Sequence, residues 1–265
     1  MLRRLAPLLL FVCVACATPP IRLSPSYPVG AVRTYKLTAE ARTSISVAGR
    51  SRVEKTTLVA RSRIEVIAST ADESTIRLTL RPLELRRNGK PASRPEEQRA
   101  ELTIAPDGTV RSISSVGDLP ADIAGGNVDD LAPVIGAPLP QERMKLGGRW
   151  TRRIPPVEGT GTTEVGFQRG RVAGLRRVAG YDCAMLDVAT QRPLIRERSV
   201  LGQPLRLIGT EFSRSTIAFA FGRGFPVDVR THAEGRFQVS TGSFTGGSVS
   251  IKTTTRLELI GARAP

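Results

Sequence analysis

Apolar and polar residues alternate with a period of two along most of this chain, and that period commits it to β-strands. The clearest run is Phe225, Val227, Val229, Ala233, Phe237 and Val239, with Asp228, Arg230, His232, Glu234 and Arg236 on the other phase. Tyr35, Leu37, Ala39 and Ala41 alternate in the same way against Lys36, Thr38 and Glu40, and Leu58, Ala60, Ile64 and Val66 against Val59, Arg61, Arg63 and Glu65. Such strands put one face on a core and the other in water, as antiparallel sheets do. Ile76, Leu78 and Leu80 are followed by Leu83 and Leu85, so the phase slips at Arg81-Pro82 and a bulge or sheet edge is expected there. Ala105-Pro106-Asp107-Gly108 is a strong turn signal between Ile104 and Val110. Val165 and Phe167 open a second set of strands. Ala184, Leu186 and Val188 are flanked by apolar Tyr181, Cys183 and Met185, so that strand is expected to be covered on both faces. Val249, Ile251, Leu257 and Leu259 close the chain.

The alternation stops between Asp118 and Gly148. There Val128, Leu131 and Ile135 are spaced for one helix face. Asn127 is a suitable N-cap, and Asp129 and Asp130 sit where they complement the helix dipole. Pro133 and Gly136 keep the helix short. The expected fold is mainly β: a strongly curved antiparallel sheet or half-open barrel with one short helical insert. Its β domain spans 30–265, with strand sets 30–117 and 149–260 joined by a helical connector, 118–148. Two similar halves and one sheet curled around the connector both satisfy the pattern, and no internal repeat decides between them.

The first residues are of another kind. Arg3 and Arg4 precede an apolar run from Leu5 to Val14, then Ala15-Cys16. The run is long enough for a signal core and too short to span a bilayer. Residues 1–15 are therefore expected to be a signal peptide, and 16–29, with Pro19-Pro20, Pro25 and Pro28, a Pro-rich tether.

Composition narrows the function. Hydrophobic residues make up 40% of the chain, enough for a real core. The net charge of +15 becomes +13 once Arg3 and Arg4 leave with the signal. The export signal argues against nucleic acid as a partner. The basic residues are scattered, mostly as single Arg on alternating positions with doublets such as Arg86-Arg87 and Arg152-Arg153, which reads as a solvated strand surface. A sharper reading is attraction to anionic head groups at the envelope. Cys183 is left without a disulfide partner and reads as a small buried hydrophobe.

No catalytic set emerges, and the chain is expected not to be an enzyme, with no metal site and no cofactor. The single histidine, His232, lies on the polar phase of its strand. No Gly-x-Ser-x-Gly elbow or phosphate loop is present. Asp72-Glu73 and Glu96-Glu97 lie in polar, turn-like stretches. Asp129-Asp130 is explained by the helix start. Trp150, after Leu146-Gly147-Gly148, reads as a core anchor at a strand start. Aromatics at 5% are too few for the girdles of a transmembrane barrel.

Cys13-Val14-Ala15-Cys16 resembles the lipobox of bacterial lipoproteins, with Cys16 at the lipidated position and Cys13 where Leu is usual. The resemblance implies acylation of Cys16, cleavage just before it and anchoring in the membrane through lipid; ordinary cleavage near Ala15 or Ala17 is the other route. Ala17, not being Asp, favours the outer membrane facing the periplasm. The lipobox, tether, strands, helical insert and Leu146-Gly-x-x-Trp150 together resemble envelope lipoproteins with the half-open barrel of the Lol-type lipoprotein carriers, an architecture shared by mycobacterial lipid-binding lipoproteins. That implies a non-catalytic envelope protein binding a hydrophobic or lipidic ligand, with no ligand residue carried over. The alternative is a structural or assembly lipoprotein docking an envelope protein partner.

Overall fold

The computed structural model describes residues 19–47, 49–94, 96–116, 138–156, 163–200, 203–241 and 244–265. The signal with Cys16, and the helix expected around Asn127, Val128, Leu131 and Ile135 with Asp129-Asp130, lie outside the described residues.

The alternating segments form antiparallel strands, as their periodicity requires. Two short ones, β1 (Ile21–Arg22) and β8 (Arg143–Met144), pair with each other. The others build one sheet. From margin to margin it runs β7 (Val110–Val116), β6 (Gln98–Ile104), β4 (Ser74–Arg87), β3 (Arg50–Ser69), β2 (Val32–Val47), β14 (Phe244–Arg263), β13 (Phe225–Thr241), β12 (Gln203–Ala220), β11 (Tyr181–Val200), β10 (Gly166–Val178) and β9 (Arg149–Ile154), with β5 (Lys90–Pro91) beside β4. Apart from β5, sheet neighbours are sequence neighbours except at one joint, where β2 pairs with β14 from Val32↔Arg263 to Val47↔Gly247. Strand sets 30–117 and 149–260 therefore lie in one continuous sheet.

The sheet curls until its margins almost meet, but it is not closed: β7 and β9 do not pair. One apolar cluster takes in Leu102, Ile104 and Val110 near one margin and Trp150 and Val172 near the other, with Leu37, Leu58, Leu186 and Leu257 between. Burying each such side chain contributes about 1.5–3 kcal/mol, which favours the curl. The segment 138–148 bridges the seam. Leu139 N–H donates to the Asp107 carbonyl at 2.9 Å, and Gly147 N–H to the Val172 carbonyl at 2.8 Å. Arg152 completes the contact, its Nη1 donating to Asp107 Oδ2 at 2.8 Å.

One end of this half-open barrel is floored by the chain's own N-terminal segment. Leu23 is fully buried. Ser26 N–H donates to the Gly224 carbonyl at 2.9 Å in the β12–β13 turn, and Gly30 N–H to the Val66 carbonyl at 2.9 Å. Gly224 has φ +74°, and a Cβ there would strike Ser26, so only glycine fits. The stretch read as a tether is thus extended, as its prolines dictate, but from Ile21 onward it is bound into the fold because Leu23 and Tyr27 reach the core.

The phase slip is a bulge. Val59 and Ala60 face Glu84 and Pro82, so Leu83 is the extra residue and turns outward, while Leu85 returns to the core. Cys183 and Ala184, on opposite faces of β11, are both fully buried, so the start of that strand is covered twice. Val165 and Phe167 stand at the start of β10, where the second strand set was expected to open. They point outward because Trp150 occupies the inner side: a Cβ at Gly170 would fall inside the indole. Gly170 leaves room for the ring, and Trp150 Nε1–H donates to Gln168 Oε1 at 3.3 Å.

Candidate functional site on the concave face

The register of the long strands decides what the concave face presents. Next to the floored core, one row across the sheet reads Val188, Ser215, Thr231, Thr255, Ala39 and Leu58. The following row reads Thr190, Ser213, Ala233, Thr253, Ala41 and Thr56. Side chains this small leave space above the sheet: Thr190, Ser213, Ser215, Thr231, Ala233, Thr253 and Thr255 are only half-buried although they lie on the core face. The result is a trough whose floor offers methyl groups and a few hydroxyls. The Ser215 and Thr231 hydroxyls satisfy each other at 2.8 Å.

A third row carries charge. Arg192 Nε and Nη2 both donate to Glu211 Oε1, at 3.0 and 2.8 Å, with the two side chains only 18% and 17% exposed. A pair so withdrawn from water is held by mutual attraction, and removing Glu211 would leave the Arg192 guanidinium without this partner. On the same row, Gly235 makes room for the Phe237 ring. From Ile251 on this row outward the face becomes apolar again, where Ile251, Phe237, Val239, Val249 and Leu207 cluster, with Ala41 at the near side. The trough is therefore apolar at both ends, lined by methyl and hydroxyl groups between them, and crossed by a charged row in which Arg192 pairs with Glu211 at one flank and Glu54 with Arg87, at 3.8 Å, at the other. Its chemistry suits an elongated, mostly apolar molecule.

A second, smaller and partly open space lies at the floor. It holds about 30 Å³, room for little more than a water or two, among Tyr27, Arg33, Tyr35, Leu139 and Phe219. Arg33 is 6% exposed; its Nη2 donates to the Ser26 carbonyl at 2.6 Å and its guanidinium lies 4.7 Å from the centre of the Phe225 ring. Burial lowers its pKa, the charge being costly there. Burial pushes the Tyr27 hydroxyl up to about 12 and raises that of Tyr35, which donates to the Pro226 carbonyl at 3.0 Å.

The residues weighed from sequence are not brought together. His232 is exposed, its Nδ1 3.1 Å from Thr254 Oγ1. Cys183 is buried, and burial pushes its thiol up, away from the reactive thiolate. Asp72, Glu73, Glu96 and Glu97 are exposed. Trp150 is a core anchor, 6% exposed. Among the described residues no group of three or more His, Cys, Asp and Glu could hold a metal ion. Sequence reasoning missed the trough, since its rows emerge only when six strands are set in register. The one available signal was the run of Ala, Ser and Thr on otherwise apolar phases.

No family model matches the chain, and no curated protein does. Among solved structures, it is similar to lipovitellin, from a study of its lipid–protein interactions, at 12% identity and a TM-score of 0.47; the match covers 91% of this chain and 26% of that one. It is also similar to an outer membrane channel from Pseudomonas putida F1, at 10% identity and a TM-score of 0.30, covering 88% and 97%. A third match is DynF from the dynemicin biosynthesis pathway of Micromonospora chersina, at 9% identity and a TM-score of 0.28, covering 94% and 88%. The scores are low, and these likenesses carry no functional weight.

Proposed function

We propose that this chain is a non-catalytic, lipid-anchored protein of the bacterial cell envelope that holds a hydrophobic or lipidic ligand in the trough of its concave face. The observation that carries the reading is the group of small side chains in the middle of the two rows, Thr190, Ser213, Ser215, Thr231, Ala233, Thr253 and Thr255, half-buried on a face that is otherwise core. An acyl chain laid across them would cover methyl groups and gain about 0.8 kcal/mol per buried methylene. The lipobox-like Val14-Ala15-Cys16 supports the anchor, and Ala17 in place of Asp supports the outer membrane, facing the periplasm, as its location.

A fluorescent fatty acid tests the reading. The full chain should take up the probe saturably, and Ser213→Phe or Thr253→Phe, each filling the trough from a position that has room, should lower uptake at least tenfold with the far-UV circular dichroism spectrum unchanged. Absence of uptake, or uptake indifferent to both substitutions, would count against it. Radiolabelled palmitate should enter the wild-type protein in cells and not Cys16→Ser.

A further inference from the structure

The convex side of the same strands carries a feature that ligand binding leaves unexplained. Phe167 on β10 and Phe212 on β12 flank Gln191 of β11 in register, and both rings are about half exposed, at 50% and 51%. Ile208, 45% exposed, lies on the same face of β12, and half-buried Pro193 pairs with Thr210 beside it. Single exposed apolar residues are ordinary, whereas a contiguous group over three strands marks a contact surface.

The rim of this patch identifies its partner. Arg153 stands beside Phe167 on β9, Arg169 two residues along β10, and Arg206 and Arg214 two residues beyond Ile208 and Phe212 on β12. All four are exposed, and none pairs with a carboxylate among the described residues. Of the neighbouring acids, Glu234 is already engaged by Arg236 at 3.0 Å and Lys252 at 3.7 Å, and Glu197 lies opposite Arg206 in register. A surface with apolar knobs at its centre and unpaired guanidinium groups around them is complementary to a layer that is anionic at its surface and apolar just beneath. A second copy of the chain would bring the same four cations against themselves. We infer that the convex face of β10–β12 docks on an anionic phospholipid membrane, the two phenylalanine rings entering the head-group boundary and Arg153, Arg169, Arg206 and Arg214 pairing with phosphates. Guanidinium suits that role, since its planar fork meets phosphate oxygens two at a time. This contact is independent of the trough, which faces the other way, and of the anchor at Cys16.

The single tryptophan makes the test direct, because Trp150 is buried and gives a constant background. Phe212→Trp in the full chain adds a reporter within the patch and preserves its apolar character; Lys36→Trp adds one on the outer face of β2 as a control. On vesicles of brominated phosphatidylglycerol, Phe212→Trp should be quenched well beyond the wild-type background and Lys36→Trp should not. On brominated phosphatidylcholine neither should be. Each arginine near an anionic surface is expected to contribute about fivefold in affinity. Arg169→Glu with Arg214→Glu should therefore lower the vesicle affinity that quenching reports at least about 25-fold. Quenching at Lys36→Trp equal to that at Phe212→Trp, equal quenching on neutral lipid, or none on anionic lipid would overturn the inference. So would a concentration-dependent blue shift of the Phe212→Trp emission without vesicles, which would mean that a second copy covers the patch.

Discussion

Asp107 holds two parts of the fold with its two oxygens. Oδ1 accepts from Thr109 N–H at 2.9 Å and shapes the turn between β6 and β7, while Oδ2 accepts from Arg152 across the seam. Asp107→Ala should lower stability by about 2 kcal/mol, read from the urea midpoint of Trp150 fluorescence. Arg152→Ala should cost less, because Thr109 N–H keeps its acceptor. Since the pair is about a quarter exposed, the coupling in a double-mutant cycle should be about 1 kcal/mol; additive losses would mean that the seam is held by the backbone bridge alone. The turn itself was legible in Pro106-Asp107-Gly108. Its partner was not, because Arg152 comes within reach of Asp107 only when the sheet has curled. The doublet Arg152-Arg153 looked like solvated charge, yet strand alternation sends the first arginine to the seam and the second to the convex rim.

The N-terminal floor, from Ile21 to Ala31, is the element whose role was hardest to foresee. Prolines announce an extended backbone but not whether it hangs in water or lies across a core. Here Leu23 and Tyr27 decide, with Arg33 latching Ser26. Such a latch has a pH signature. An unfolded tyrosine loses its proton near 10, whereas Tyr27 in the fold keeps it to about 12. Between those values the native state binds more protons than the unfolded one, so stability falls as pH rises from about 10 and is untouched by this group below it. Tyr27→Phe should flatten the decline of melting temperature across that range; a slope identical to wild type would mean that the hydroxyl is not protected. At this scale the strands were legible wherever one phase was apolar, down to the bulge at Leu83. The inner face of β10 was not legible, because its inward positions hold Gly166, Gln168 and Gly170 and so carry no apolar signal.

For the molecule as a whole, the decisive pairing is β2 with β14, and periodicity cannot reveal it because both strands alternate equally well with any neighbour. It turns two strand sets into one sheet over one principal core, so the two flanks should unfold together. Far-UV circular dichroism and Trp150 fluorescence should give one urea midpoint; two separated midpoints would show that the flanks melt independently. The same joint sets a timetable. Delivered amino end first, from a ribosome or through a membrane pore, the chain offers the 16-residue β2 long before Phe244–Arg263 exists. Throughout that wait one side of β2 is an open template for other chains. A protein wired in this way can finish folding only after β14 has emerged, and it depends until then on being shielded from its own kind.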